Sequence, residues 1–424
     1  MRLRVLNVLE MKSIWSRLSS VLWFLARISF GFKPENIDEN IVINDFEKFE
    51  NLCIFFNIVP NGWVQDPDRC PSKWTSKVYF VYYGFLLINL LRLSALCLFR
   101  LPDNILIILG DFFRQNENGQ KFWAFWLIIL TVIEILKNRW LYKYSRGDFI
   151  SFRLNYYLCR YGWKSKVLKM DKPYCLKHRF IAHNLVIFWR KSVYIWLISS
   201  VIILLLILFS QSNESKSNLE TVCTYFWLMS FSIVLMFNGA NALGTGGVVM
   251  THLAYFYFRA LAVSNKCQEL VSKKNQKKAY DKYVAVLSYA IKSANEIEKH
   301  NLQMSQFLVV LYIGISFASD FGLYTSLIIH IDRGYADSLI TLISFYGLGG
   351  IGSCSFINGK ILNIVSGMIS SMHNIHSIDD KIILLTHFLT QQMTSSCKRL
   401  RSATDSLKLT IQSNIKVIII IPVE

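Results

Sequence analysis

The sequence predicts an all-α, polytopic membrane protein of about seven transmembrane helices with a cytoplasmic N-terminus. Three observations lead there: apolar blocks too long for a soluble core, a low share of charge, and a strict alternation of basic and non-basic connections. Of 424 residues, 53% are hydrophobic, 14% aromatic and only 17% charged, whereas soluble chains carry about 25% charged residues. Phe (30), Tyr (20) and Trp (11) are too abundant for a disordered chain, and seven prolines exclude a Pro-rich one.

A helix needs about 20 mostly apolar residues to cross the hydrocarbon core. Spans are expected at 78–99, 118–136, 193–210, 222–243, 307–331, 338–358 and 409–423. The second, Phe122–Leu136, reaches full length only if it extends back toward Asn118. The last is interrupted by Lys416 and Pro422, which makes it the least apolar.

Lys and Arg number ten in residues 1–77, fourteen in 137–192, nine in 259–306 and six in 359–410. The connections 100–121, 211–221 and 332–337 hold three, one and one. Cytoplasmic loops carry the excess of Lys and Arg. The N-terminal region (1–77) and the loops 137–192, 259–306 and 359–408 are therefore expected inside. The single N-x-[ST] sequon, Asn213-Glu-Ser215, falls in a connection assigned outside and is a candidate glycosylation site. Met11–Phe32 is cut by Arg17 and Arg27 and lacks a small-residue cleavage site, so it does not read as a signal peptide. It reads either as an amphipathic helix on the inner membrane surface or as a helix packed on its neighbours.

The inside connections are helical in pattern. Tyr280, Tyr283, Leu287, Ala290, Ala294 and Ile297 follow 3–4 spacing and lead into the fifth span without a proline. Residues 222–262 stay apolar well past one bilayer, broken by Gly244-Thr-Gly246-Gly247. Membrane helices that continue as a cytoplasmic bundle are the expectation. The run Lys273–Lys278 is a solvated loop tip or a contact for anionic lipid. No aromatics interleave with its lysines, so nucleic acid is not an expected partner.

Several residues are candidates for chemistry. Charges inside spans are costly and are functional candidates by default. Arg92 and Asp320 lie about 21 and 20 Å along their helices at 1.5 Å per residue, and are expected to form a buried charge pair. Glu134 is expected to snorkel to the inner interface, and Asn238 and Asn241 to hydrogen-bond between helices. Trp123, Trp126, Tyr225, Trp227, Phe321 and Tyr324, with Phe122 and Phe226, lie on the outer halves of three spans. They line a ligand pocket open to the outside or form an interfacial aromatic belt. Gly347, Gly349, Gly350 and Gly352 favour close helix packing over a hinge. Gly244-Thr-Gly246-Gly247 lacks the Lys-Ser/Thr of a phosphate loop. No cofactor is expected. His373 and His376 have no companion ligands for a metal, and nine scattered cysteines contain no C-x-x-C pair. Gly314-Ile315-Ser316 with His252 or His330 is too slight a basis for a serine hydrolase, so no enzyme is expected.

This organisation resembles the insect (arthropod) gustatory receptors: seven spans, an inside N-terminus, short outside and long helical inside connections, and about four hundred residues. Ala294-Asn-Glu-Ile-Glu-Lys-His300-Asn-Leu-Gln-Met-Ser-Gln-Phe307 is similar to the family's entry into its fifth span. The resemblance covers roughly residues 40–410. It implies a ligand-gated cation channel subunit that detects small tastants at the outer face and assembles as a homo- or heterotetramer. It also implies that the last helix lines the pore, which would make Ile415, Lys416 and Ile419 pore-lining. The family's closing Thr-Tyr and Gln-Phe are absent here, and Pro422 stands near the Gln position. A transporter is the alternative. A G-protein-coupled receptor is disfavoured by the orientation and because only Cys97 and Cys223 lie near the outer edge.

Overall fold

The computed structural model describes residues 38–63, 73–111, 119–147, 150–212, 218–272, 279–329 and 335–373. Among these there is no β-strand. The helices are α1 (Glu39–Phe55), α2 (Lys73–Leu98), α3 (Asp103–Ile108), α4 (Gly119–Ser145), α5 (Ile150–Tyr161), α6 (Ser165–Leu168), α7 (Lys172–Ser212), α8 (Asn218–Ser272), α9 (Ala279–Tyr324) and α10 (Tyr335–His373). The first six expected spans fall on α2, α4, α7, α8, α9 and α10. The seventh span with Ile415, Lys416 and Ile419, the segment Met11–Phe32, the sequon at Asn213 and the run Lys273–Lys278 lie outside the described residues.

Four stretches are long and apolar enough to cross a membrane: Trp74–Leu98, Gly119–Ser145, Lys172–Ile202 and Asn218–Glu269. α10 adds a shorter apolar stretch, Ile340–Gly349. The second expected span is not short, because α4 begins at Gly119 and runs 27 residues. Phe80, Leu91 and Leu98 on α2 are 82%, 64% and 73% exposed. A helix that stays apolar on its exposed side matches a hydrocarbon solvent rather than water.

α8 is 55 residues long, about 80 Å at 1.5 Å per residue. A bilayer core is about 30 Å thick, so more than half of α8 lies beyond it. The helix passes straight through Gly244-Thr-Gly246-Gly247, which interrupts only the apolar run. Its glycines are docking points. A Cβ on Gly239 would sit 2.1 Å from the Trp196 indole, one on Gly244 2.2 Å from Ile58, and one on Gly247 2.8 Å from Phe49 and Trp189. The α7 tryptophans and the α1 segment thus press directly onto the α8 backbone. Gly239→Val is expected to destabilise the protein by about 2 kcal/mol through overpacking against a rigid indole. Thermal unfolding in detergent measures it, and the loss should shrink when Trp196→Ala makes room.

The buried residues form two clusters. One, toward the connections 99–119 and 212–218, joins Tyr82, Leu86 and Leu93 of α2 with Phe122–Leu130 of α4, Phe231 and Val234 of α8 and Ile340 of α10. This is the short-loop end. The other, at the long-loop end, packs α1, α5, α6 and the lower parts of α4, α7, α8 and α9. α1 begins with Asp38, whose carboxylate accepts from the Asn40 N–H at 3.2 Å. Its exit, residues 56–63, is strapped to two other helices, α4 and α8. Asn241 Nδ2 donates to the Phe56 carbonyl at 2.9 Å, Trp140 Nε1 to Ile58 at 2.8 Å and the Tyr144 hydroxyl to Gly62 at 2.8 Å. Segment 38–63 is thereby built into the bundle and not appended to it.

Between α9 and α10, close packing holds at Gly347, where a Cβ would lie 2.5 Å from Ser319 Oγ. It does not hold at Gly349 and Gly352, whose added Cβ atoms meet nothing within 4 Å. α9 ends in a π-turn, Thr325–Ile329. The Thr325 and Ser326 hydroxyls both donate to the Gly322 carbonyl, at 3.0 and 2.8 Å. Two hydroxyls on one carbonyl compete with the backbone ladder, and a wider turn relieves that competition.

Candidate functional site

At the short-loop end the organising residue is Arg92 of α2, only 3% exposed. Its Nε donates to the Leu109 carbonyl at 2.6 Å and its Nη2 to Gly110 at 3.0 Å. Its guanidinium carbon lies 4.5 Å from the Trp123 ring and 5.1 Å from the Trp227 ring. The expected pair with Asp320 does not form. Asp320 is half-buried, and the carbonyls and indoles satisfy Arg92 instead. Shared depth along two helices was the only ground for the pair, and depth does not fix which way a side chain turns.

The local sequence explains why those carbonyls are available. α3 ends in a Schellman closure: Gly110 N–H donates to Ile107 and Asp111 N–H to Leu106, both at 2.9 Å. Gly110 has φ +63°, and a Cβ there would be 2.8 Å from Trp227 Cδ1. Glycine is required both for the left-handed turn and for the close approach. The last carbonyls of α3 face Arg92, a cation at the negative end of a helix. Trp123 Nε1 donates to Asp111 Oδ1 and Trp227 Nε1 to the Ile108 carbonyl, each at 2.9 Å. The two indoles therefore hold the α3 turn down over the guanidinium.

The six expected ligand residues divide. Trp123 and Trp227 clamp Arg92. Trp126 is 2% exposed and lies edge-on to Phe231 at 5.3 Å, and Phe321 packs against the same cluster. Tyr225 and Tyr324 are on the exposed surface, as an aromatic belt would be. The interior of this cluster holds buried polar atoms without a hydrogen-bond partner: Trp126 Nε1, Asn89 Oδ1 and Ser344 Oγ. Atoms of this kind occur in the long-loop half too, at Trp163 Nε1 and Trp189 Nε1, and each calls for a water, an ion or local strain to account for it.

A second polar centre lies farther toward the long-loop end. Glu134 and Lys137 of α4 are 9% and 5% exposed. Lys137 Nζ donates to both Glu134 oxygens at 2.9 and 3.0 Å. Glu134 thus stays inside the bundle and does not snorkel. The Tyr82 hydroxyl lies 2.5 Å from Glu134 Oε1 and 2.7 Å from the Asn238 amide. One hydroxyl has one proton, which goes to the carboxylate. Turning the Asn238 amide so that its NH2 donates to Tyr82 lets the hydroxyl give its proton to the carboxylate and accept from the amide. Lys137 also lies 4.6 and 4.8 Å from the Tyr82 and Tyr83 rings. Beside it is a small recess open to solvent, a cavity of about 10 Å³ with room for no more than a water, lined by Phe56, Asn57, Tyr79, Tyr83, Phe237 and Asn241. Residue type and spacing gave a clue here, since Glu134 and Lys137 are one helical turn apart. The part played by Tyr82 and Asn57 had no sequence signal.

Deeper in the long-loop end, α1 is tied to α7 by charge. Asp45, 8% exposed, accepts from His183 Nε2 at 2.9 Å and Arg190 at 2.8 Å. Burial alone would raise its carboxyl, but those two hydrogen bonds and the charges behind them hold it down at about 2. Glu296 of α9 behaves alike: burial raises it, while Arg259 and Lys169 lower it further and win. A depressed carboxyl stabilises the fold above its unfolded value near 3.8 and loses that contribution as pH falls through about 2. Asp45→Asn is expected to remove about 2 kcal/mol at neutral pH and to flatten the fall in stability between pH 5 and pH 2. Unfolding followed against pH in the two proteins checks this.

Among the described residues no group of three His, Cys, Asp or Glu side chains is placed to hold a metal ion. The chain matches no protein-family model and no curated protein sequence.

Proposed function

We propose that the chain is a gustatory-type chemoreceptor, a subunit of a ligand-gated cation channel that binds small tastants from the outer side of the plasma membrane. In this reading the basic long-loop end is cytoplasmic and the short-loop end is outside. Seven spans, an inside N-terminus and assembly as a homo- or heterotetramer with related subunits belong to the same reading.

The observation that carries it is the short-loop half of the bundle. An aromatic cluster there contains Trp126 Nε1, Asn89 Oδ1 and Ser344 Oγ, buried and without partners. Apolar walls with a few polar atoms that lack partners are what a small organic ligand requires. Arg92, Trp123 and Trp227 roof that half by holding the α3 turn over it. Ligand binding would favour whichever arrangement of α2, α4, α8 and α10 receives it best, and so shift a closed–open equilibrium.

The permeation path is assigned to the last span, where Lys416 opposes cation passage. The chain expressed alone is therefore expected to give little current. Replacing Leu409–Glu424 with a family-type last span should restore ligand-evoked cation current. Asn89→Leu and Trp126→Phe in that chimera should shift the dose–response curve at least tenfold while leaving surface expression unchanged. Tyr225→Ala and Tyr324→Ala should leave it in place. A chimera on the cell surface that answers no ligand in a broad tastant panel would contradict the receptor reading.

A further inference from the structure

The connection from α5 through α6 into α7 is a basic corner that the chain does not neutralise. Between Arg160 and Lys177 stand Arg160, Lys164, Lys166, Lys169, Lys172 and Lys177 against a single acid, Asp171. Asp171 is taken by Lys266 of α8 at 2.9 Å, and Lys169 by Glu296 of α9 at 2.9 Å. The other five are exposed and, among the described residues, have no carboxylate within 4.0 Å. Elsewhere at the long-loop end Arg190 pairs with Asp45, Arg259 with Glu296, Arg179 with Glu39 and Lys137 with Glu134, while exposed cations such as Lys48, Arg139, Lys292 and Lys299 are spread singly. The corner differs in density, with five unpaired cations between residues 160 and 177. Its aromatic component is also exposed. Tyr157 and Tyr161 are each 45% exposed and stack at 5.9 Å, and the Arg160 guanidinium is held over Tyr156 and Tyr161.

Three polyanions fit a surface of this sign: an anionic bilayer, a nucleic acid and an acidic protein segment. Distance disfavours the bilayer. α7 runs unbroken from Lys172 into the expected span 193–210, so with the hydrocarbon edge at that span Lys172 lies about 30 Å along the helix below it. A tilt of about 40° still leaves over 20 Å, and headgroups extend only about 5–8 Å. Chemistry disfavours nucleic acid. The two exposed tyrosines stack on each other instead of standing apart as a platform for bases. Lysines spread over one corner, with tyrosine beside them, match the flexible carboxylates of an acidic chain.

We propose that the α5–α6–α7 corner is a docking surface for an acidic segment of a soluble cytoplasmic protein. It rests on the cytoplasmic assignment of the long-loop end, which epitope accessibility tests separately; binding measured in detergent has no sidedness, so the two can fail independently.

The test uses the full chain in neutral detergent and a fluorescein-labelled 16-residue polyglutamate followed by anisotropy. Saturable binding is expected, weakened at least tenfold in K164E/K166E/K172E/K177E. The control K48E/R139E/K292E/K299E, with the same change in net charge on other exposed sites, should stay within twofold. The milder K164Q/K166Q/K172Q/K177Q set, expected to weaken binding at least threefold, decides the matter if the charge reversal lowers the unfolding temperature. No saturable binding, or equal loss in the corner and control variants, would overturn the proposal. So would a 16-nucleotide polyuridylate that binds more tightly than the peptide. Phosphatidylserine vesicles that need the corner lysines when the peptide does not would overturn it as well.

Discussion

Arg92→Ala is expected to destabilise the protein by about 4 kcal/mol. The Leu109 and Gly110 carbonyls would each lose a charged donor inside a buried turn, at about 1–3 kcal/mol apiece. The stacking on Trp123 and Trp227 adds about 1 kcal/mol. Arg92→Lys should recover only part, since one ammonium cannot reach both carbonyls and lie flat between two indoles. Asp320→Asn should cost little, and the double mutant Arg92→Ala/Asp320→Asn should be additive within about 0.5 kcal/mol, as for sites that do not touch. A coupling well above that in unfolding experiments would restore the Arg92–Asp320 pair that helical depth alone suggested.

Lys137→Met is the second large effect, about 3–5 kcal/mol, because it leaves Glu134 charged and buried with only the Tyr82 hydroxyl to face it. The double substitution Glu134→Gln/Lys137→Met should regain most of the loss. Removing both charges abolishes two desolvation penalties together with their attraction, and the result is often near neutral. Surface expression and thermal unfolding should move together in this series. A double mutant as damaged as Lys137→Met would mean that Glu134 has a task beyond pairing, and that the adjoining recess at Asn57 and Asn241 depends on its charge.

The sequence made the long helices legible because an apolar block and its length are local properties. It also made the long-loop bundle legible, since the 3–4 spacing from Tyr280 to Ile297 ends in buried Ala290, Ala294 and Ile297. What stayed hidden depends on direction and on segments far apart in the chain. Gly244 and Gly247 only interrupt an apolar run in the sequence; Ile58, Phe49 and Trp189, from elsewhere in the chain, make them contact points. Trp123, Trp126 and Trp227 were found by type, but their division into clamp and core followed from the α3 turn. Asp111 and Gly110, which build that turn, lay in what read as an ordinary short connection. The Glu134–Lys137 spacing was visible, yet Glu134 near a helix end reads as exposed until Tyr82 and Asn238 close over it.

One orientation underlies the proposals, because the proposed ligand half of the bundle and the basic corner take their roles from which end faces the cytoplasm. Epitope tags inserted in turn within residues 213–217 and 273–278, and stained on intact and then permeabilised cells, test it most directly. The account predicts staining of intact cells at 213–217 and, at 273–278, staining only after permeabilisation. Surface staining of intact cells at 273–278 would contradict it.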